Sequence, residues 1–250
     1  MPPLFPSDPK KIREPQWSTI ASARALERAV SMTKIIDLSH PIHTATPPWP
    51  GGPSVEISSL DRARFTTPET RHSNSSRFAM NIHCGTHMDA PFHFLDAGRT
   101  IDNVPLERTH GRATLIRLPN KGPNTHISSD DLRPWEKSLR RTGKAIIQTG
   151  WSERWMRHDF FGEYPIITVD AARFLVECQV HLVGVETGSV DYSPNDTHIV
   201  LLGNDVLIVE CLTGLDQIPG EEFLFAAIPF KLQGLDGSPV RAIAILEEES

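Results

Sequence analysis

The sequence predicts an α/β fold built on a mixed sheet. Short β-rich runs are interleaved with a few helical segments, and they follow no strict strand–helix–strand order. The 250 residues, of which 39% are hydrophobic and 22% charged, fit one large domain or two small ones, and we favour one. Histidines are concentrated in one short segment, and we predict that the rest of the domain is organised around it.

The N-terminal part of the chain differs from the rest in composition. Residues 1–16 contain five prolines and little apolar periodicity, which predicts an extended arm. Residues 18–32 carry apolar side chains at helical spacing and predict an amphipathic helix. We therefore assign residues 1–33 to an arm and helix, and residues 34–250 to the domain proper.

Elements of the domain follow from local patterns of apolar and capping residues. Strands are predicted at residues 35–38, 55–60, 76–82, 112–118, 144–148, 181–186, 224–232 and 240–246, and helices near residue 128 and over 168–177. A loop at residues 46–53, rich in Pro and Gly, holds Trp49, which we predict to be a wall of a substrate pocket or an anchor packed into the core.

The histidine-rich segment contains His83, His87, Asp89 and His93 within eleven positions. In an extended strand His83 and His87 would lie roughly 13 Å apart, too far to share one ion. A turn at Gly85 would let the chain fold back and aim both imidazoles at one point. A helix would also bring them together, but Gly85 and the nearby proline disfavour a helix here.

This residue set favours a catalytic metal site. A single histidine in an apolar run is more often an ordinary core residue, but four ligand-type residues in one short span reverse that expectation. Structural zinc sites usually draw on paired cysteines, whereas Cys84, Cys178 and Cys211 are widely separated. A His and carboxylate set suits an ion that keeps a position open for water.

A second histidine and carboxylate pair occurs later in the chain. His198 and Glu210 are twelve residues apart, and Glu210 ends an apolar run where an unpaired carboxylate is costly to bury. For Glu210 alone, metal ligation and an ordinary salt bridge are equally good interpretations.

The chain also resembles a known family. The string from His83 to Phe94, with Gly85-Thr86-His87, Asp89-Ala90-Pro91 and His93-Phe94, is similar to the signature of the metal-dependent cyclase/hydrolase family, which includes bacterial-type kynurenine formamidases and isatin hydrolases. The similarity continues in residues 35–41, 49–51 and 238–242, and covers most of the chain after about residue 33.

The resemblance implies specific roles. It implies that His83, His87 and Asp89 bind one divalent ion, that Asp89 bridges to a second ion bound by His198 and Glu210, and that His93 is a catalytic acid/base. It also implies the swivelling β/β/α fold and a homodimer or larger oligomer. The ligand types admit Zn²⁺ or Mn²⁺, with one or two ions per subunit.

The predicted activity is hydrolysis of an amide-type C–N bond in a small aromatic N-acyl or cyclic compound. The family implies an arylformamide such as N-formylkynurenine or a lactam such as isatin. Apolar surface for a flat substrate is predicted at four side chains: Trp49, Phe92, Phe94 and Trp151. The alternatives are a lactone hydrolase or polyketide-type cyclase of the same family and, from another class, a non-catalytic metal-binding protein.

Composition disfavours several other partners. A net charge of −6 without a basic run disfavours nucleic acid and anionic membranes. The sequence has no run of about 18 apolar residues, so no transmembrane helix is predicted. The N-terminus does not resemble a secretory signal. Three cysteines form no disulfide framework, so a cytoplasmic location is predicted.

Overall fold

The structure, a computed structural model, describes residues 33–59 and 74–247. The proline-rich arm predicted over residues 1–16 and the helix predicted over residues 18–32 lie outside these residues, whereas Thr33, which we assigned with them, begins the first strand of the domain. Residues 35–246 group into one compact unit. A search of the described helices finds none of the length and hydropathy needed to cross a bilayer.

Twelve strands are present in the described residues. They are β1 (Thr33–Asp37), β2 (Glu56–Ser59), β3 (Ser76–Ala79), β4 (His87–Asp89), β5 (His110–Arg117), β6 (His126–Ile127), β7 (Lys144–Gln148), β8 (Ile166–Ile167), β9 (Leu182–Val185), β10 (Leu207–Glu210), β11 (Glu222–Pro229) and β12 (Gly237–Glu247). The predicted mixed sheet is confirmed, and it has eight strands in the order β1-β12-β11-β5-β7-β9-β10-β4.

The sheet closes into a barrel. Strands β5, β7, β9 and β10 are parallel to one another, whereas β11, β12 and β4 join antiparallel. Strand β4 pairs with β10 on one side and with β12 on the other, which closes the ring. Closure places the short β4 strand, with its metal-type residues, between two strands that come from the second half of the chain.

Side chains on the central strands alternate between two apolar cores. Leu115, Ile146 and Leu207 belong to the cluster that includes Met88 of β4, whereas the adjacent Ile116, Ile147 and Ile208 belong to a second cluster with the helices. Successive side chains of a strand point to opposite faces, so strands buried on both faces read as continuous apolar runs. This explains the continuous apolar runs at residues 145–147 of β7, 182–185 of β9 and 207–209 of β10.

Four of the five α-helices in the described residues contribute to the second core, and α1 does not. The helices are α1 (Leu106–Thr109), α2 (Ser129–Leu132), α3 (Glu136–Thr142), α4 (Val169–Glu177) and α5 (Asp196–Gly203). Helix α2 begins with a capping box, in which Ser128 and Asp131 each accept from the other's backbone N–H, and Thr168 caps α4 by accepting from Ala171 N–H. Both predicted helices are thus confirmed.

Two strand predictions ran too far along the chain. The strand predicted over residues 224–232 ends at Pro229 in β11, and the strand predicted over residues 76–82 ends at Ala79 in β3. The side chain of Asn81 accepts a hydrogen bond from the backbone N–H of His83 at 2.9 Å, and this local bond turns the chain out of the strand. His83 therefore lies in a turn, not in a strand.

Candidate metal centre

Two features of the turn before β4 fix the histidine-rich segment. Gly85 has φ +69°, a left-handed conformation that residues with a Cβ disfavour. The hydroxyl of Thr86 donates to the carbonyl of Cys211 at 2.7 Å and accepts from the backbone N–H of His40 at 3.0 Å. The turn predicted at Gly85 is confirmed, and it is fastened to the residue that follows Glu210.

Strand register then brings the two halves of the site together. Glu210 lies directly opposite His87 in the antiparallel pairing of β10 with β4. Their side chains approach to 3.4 Å between His87 Nε2 and Glu210 Oε2. A one-residue slip would send one of them to the other face of the sheet.

Asp89 lies at the centre of the cluster. Its Oδ1 is 2.8 Å from His83 Nδ1 and 3.4 Å from His87 Nε2, and its Oδ2 is 3.8 Å from His198 Nε2. His198, which helix α5 supplies, also places Nε2 3.5 Å from Glu210 Oε1. Two overlapping groups with metal-ligand spacing result, His83–His87–Asp89 and Asp89–His198–Glu210.

The donor set fits a divalent cation. Of the buried side-chain atoms without a hydrogen-bond partner in residues 33–59 and 74–247, four belong to this cluster: His87 Nε2, Asp89 Oδ1, Asp89 Oδ2 and Glu210 Oε1. Buried polar atoms without a partner are costly and uncommon in folded proteins. The residues that carry these four atoms belong to the two overlapping groups, and imidazole nitrogens and carboxylate oxygens are ligands for Zn²⁺ and Mn²⁺.

Each histidine of the cluster is held by an acceptor outside it. His87 Nδ1 donates to Gly85 O at 2.8 Å, His198 Nδ1 to Asp191 Oδ1 at 2.6 Å, and His83 Nε2 to Asp236 Oδ2 at 2.7 Å. Such bonds fix the tautomer of the neutral ring, so the nitrogen that points inward is the one that would offer a lone pair to an ion.

Electrostatics of the metal-free cluster favour protons where an ion would bind. Burial alone would lower the pKa of His83, but the negative charge of Asp89 and the hydrogen bond to Asp236 raise it to about 9. The pKa of His198 is lowered by burial yet raised overall to about 10 by Asp191, Glu210 and Asp89. The pKa of Asp89 lies well below its usual value, because the neighbouring imidazolium charges outweigh burial.

His93 lies beside the cluster. It ends a short 3₁₀ turn at Pro91–His93, and its ring stacks on that of His83 with centroids 3.9 Å apart. Its Nδ1 is 3.2 Å from Asp236 Oδ2. Burial lowers the pKa of His93, so the ring is neutral at pH 7 and available to accept a proton.

The four predicted substrate-contacting aromatics lie in different environments. Trp49 is 40% exposed and meets Phe161 edge-on, and Phe92 is 36% exposed. Phe94 lies against the rings of His93 and His198, behind the ligands. Trp151 is only 3% exposed and donates through Nε1 to Phe160 O, so in this conformation it is a core residue of its loop. Their contacts with a substrate stay predictions.

Two residues of the site were not identified from the sequence. Asp191 precedes His198 by seven residues and also accepts hydrogen bonds from the backbone N–H groups of Thr197 and His198. The sequence did contain one clue to it, an acidic residue shortly before the start of the helix that carries His198. Asp236 lies in a Leu-Asp-Gly turn that is indistinguishable in sequence from any other polar turn. Only the tertiary structure brings Asp236 to His83.

The protein is thus a mixed α/β barrel. Its candidate site consists of two overlapping groups of side chains whose atoms and spacing suit a divalent metal ion. Residues 36–192 match the family described as "Putative cyclase". Because this match spans more than half of the chain, the chain belongs to that family, and the resemblance stated from the sequence is confirmed.

Individual relatives agree with this assignment. A kynurenine formamidase of Bacillus thuringiensis (strain Al Hakam) is 31% identical over 216 residues, covering 83% of this chain and 95% of that protein. Isatin hydrolase A from Ralstonia solanacearum has a similar structure, with TM-score 0.76 and 25% identity over 94% of this chain and all (100%) of that chain. A protein described as a predicted metal-dependent hydrolase from Bacillus stearothermophilus matches with TM-score 0.68 and 26% identity over 85% and 98% of the two chains.

Proposed function

We propose that the protein is a metal-dependent hydrolase that cleaves an amide-type C–N bond in a small aromatic N-acyl or cyclic compound. One observation supports this most strongly: three imidazoles and the carboxylate of Glu210 surround Asp89, and four buried atoms of this cluster, two of them on Asp89, lack hydrogen-bond partners among the described residues. His83, His87 and Asp89 would bind one ion, and Asp89, His198 and Glu210 a second. When bound, a divalent ion lowers the pKa of a water molecule and polarises a carbonyl group.

His93 is the acid/base in this proposal. Its neutral imidazole takes a proton from the attacking water and returns it to the leaving nitrogen. The position beside His83 supports this role, because it places His93 next to the ligands and leaves a quarter of its side chain exposed. A purely metal-binding protein would have no need of this additional histidine.

The names of the relatives support the substrate class. One is called a kynurenine formamidase and another an isatin hydrolase. The first name favours an arylformamide and the second a lactam. Trp49 and Phe92 provide partly exposed aromatic surface for a flat ring, as both compounds would need.

The test is hydrolysis of N-formylkynurenine and isatin, side by side, by metal-stripped protein and by protein reloaded with Zn²⁺ or Mn²⁺. Metal stoichiometry is measured on the same samples. We expect turnover of at least one compound by reloaded protein alone, with one or two ions per subunit. Equal rates before and after reloading, or intact substrates in every sample, would contradict the proposal; turnover of lactones instead would favour the alternative within the family.

We further propose that the protein is a cytoplasmic homodimer or larger homo-oligomer. The three cysteines are free and buried, which supports a reducing compartment. In the β2–β3 ribbon, Ile57 and Phe78 face each other and are both exposed, and such a ribbon is marginal unless it packs against something. Light scattering coupled to size exclusion measures the subunit count, and a monomer at micromolar concentration would contradict the oligomer.

A further inference from the structure

Among the carboxylates of residues 33–59 and 74–247, Asp236 is the one that contacts both His83 of the metal-type cluster and the candidate acid/base, His93. We infer that Asp236 is a positioning residue that fixes the tautomer and orientation of His83 and His93 together through a single carboxylate oxygen. Its effect on metal binding is independent of the reaction, whereas its effect on turnover rests on the proposed function.

The backbone holds Asp236 firmly against the histidine-rich segment. Ala90 N–H donates to the carbonyl of Asp236 at 2.9 Å, and the following residue, Gly237, pairs with Asp89. A Cβ on Gly237 would lie 2.7 Å from the carbonyl oxygen of Met88 and 3.2 Å from His83 Cε1. This close approach requires glycine, so the chain at Asp236 cannot move away without separating β12 from β4.

One oxygen serves both imidazoles. Asp236 Oδ2 is 2.7 Å from His83 Nε2 and 3.2 Å from His93 Nδ1, and the two rings stack at an interplanar angle of 26°. An ionised carboxylate only accepts hydrogen bonds, so both of these nitrogens carry hydrogen. In the neutral form of each ring, which for His83 is the form that binds an ion, the lone pair is then left on His83 Nδ1, which lies 2.8 Å from Asp89 Oδ1, and on His93 Nε2.

This arrangement gives Asp236 two separable effects. By accepting a hydrogen bond from His83 Nε2, it orients the other ring nitrogen, Nδ1, toward the proposed metal position beside Asp89. Carboxylates that accept from metal-binding histidines commonly act in this way. Through His93 it leaves the basic nitrogen free for proton transfer. Asp191 does only the first of these, because it holds His198 alone among the histidines of the site.

A competing interpretation makes Asp236 a ligand. Its carboxylate, His83 and His93 themselves have metal-ligand spacing and are all partly exposed. The two interpretations predict different results when Asp236 is removed. If Asp236 is a ligand of a separate ion, its loss lowers the number of ions bound per subunit. If it is a positioning residue, its loss weakens metal binding but leaves that number unchanged.

The first experiment measures metal binding by Asp236→Ala, Asp236→Asn, Asp191→Ala and the full-length parent protein. Chelator competition should show affinity for Zn²⁺ lowered about 10- to 100-fold in Asp236→Ala with stoichiometry unchanged, and lowered similarly in Asp191→Ala. Asp236→Asn keeps the shape and one acceptor, so a smaller loss is expected. In ¹⁵N imidazole spectra of zinc-loaded protein, Asp236→Ala should remove the protonated Nε2 signature of His83.

The second experiment measures turnover with metal saturating. Asp236→Ala should lower kcat about tenfold or more with little change in KM, whereas Asp191→Ala should regain most of its kcat once loaded. In a His93→Ala background, Asp236→Ala should lower kcat no further, because both changes disable the same proton transfer.

Asp102→Ala is the matched control. Asp102 Oδ1 accepts from Gly234 N–H at 3.0 Å and from Thr100 Oγ1 at 2.7 Å, so it anchors the same turn from the other side. The inference is overturned if Asp102→Ala reproduces both losses, if Asp236→Ala binds one ion fewer, or if Asp236→Ala matches the parent in affinity and spectra. Should the parent hydrolyse neither substrate, the proposed function fails, and the metal-binding and spectroscopic results still decide the role of Asp236.

Discussion

The two halves of the site differ sharply in their access to solvent. Asp89, His198 and Glu210 are 1%, 3% and 5% exposed, whereas the side chains of His83, His93 and Asp236 are 19%, 25% and 35% exposed. Both halves contain imidazoles and carboxylates at similar spacing. The chemistry of the residues is therefore nearly the same, and burial distinguishes their roles.

Burial suits the first half for binding an ion, whereas the more exposed second half combines a proposed ligand, His83, with the proposed acid/base, His93. Buried carboxylates without hydrogen bonds are tolerable only when a cation or proton neutralises them, so the buried half is built for an ion. Partly exposed imidazoles exchange protons with solvent and substrate. Asp89 contacts both halves, and the predictions below test whether they act as one site.

The largest effect is expected from Asp89→Asn. This change removes the shared charge, so metal stoichiometry should fall and activity should drop by about 10³-fold or more, which corresponds to about 4 kcal/mol of transition-state stabilisation. Elemental analysis and kcat/KM measure the two losses. Asp130→Asn, at an exposed ion pair with Arg133, is the control and should change neither. Full metal content in Asp89→Asn would contradict the shared role.

The second effect separates the halves. His93→Ala should lower kcat about 10²-fold while metal content is kept, because His93 donates to Asp236 and is not one of the ligands surrounding Asp89. Rates and bound metal are measured on one preparation, with His110→Ala as a control at an exposed histidine. A variant that loses an ion would show His93 to be a ligand, and an unchanged rate would favour a binding protein without catalysis.

The third prediction concerns pH and the protons of the metal-free site. The pKa of His83 is raised to about 9 and that of His198 to about 10, so both are protonated at pH 7 and must lose protons to bind an ion. Affinity should rise about tenfold per pH unit for each displaced proton up to pH 9. Calorimetry in two buffers of different ionisation enthalpy measures the released protons; release of none would contradict the expectation.

The raised pKa values of His83 and His198 also predict that the stability of metal-free and metal-loaded protein depends differently on pH. A histidine whose folded pKa is raised stabilises the fold fully below its unfolded pKa, about 6.5, and this contribution is lost as pH rises through about 9 to 10. Metal-free protein should therefore lose Tm between pH 7 and 9 more than metal-loaded protein. Thermal unfolding of both forms across this range provides the check.

The smallest effect on activity is expected from changes to the aromatic side chains predicted to contact the substrate. Trp49→Ala should raise KM about two- to tenfold with stability nearly unchanged, because the ring is partly exposed. Trp151→Ala should instead lower the free energy of unfolding by about 3 to 5 kcal/mol, because the ring is buried. Chemical denaturation and steady-state kinetics of both variants separate the roles. A pure KM effect for Trp151→Ala would restore it as a substrate contact.

The local sequence was sufficient to predict the central segment and most elements. Gly85, the spacing of His83, His87 and Asp89, and the cap at Thr168 act over a few residues, so their geometry is encoded where they occur. The alternation of apolar side chains likewise predicted the strands of the mixed sheet. His198 and Glu210 became candidates through family resemblance more than through any local pattern.

Tertiary structure decided which distant residues complete the site. Closure of the barrel by β12 against β4 brings Asp236 to His83 across 153 positions of chain, and the register of β10 sets Glu210 opposite His87. Nothing in the Leu-Asp-Gly turn distinguishes Asp236 from a surface aspartate. By itself the sequence determined the types of candidate ligand and the turn that presents them, because these depend on the residues present and on local backbone preferences. The placement of Asp236 behind His83 depends on contacts that exist only once the sheet has closed.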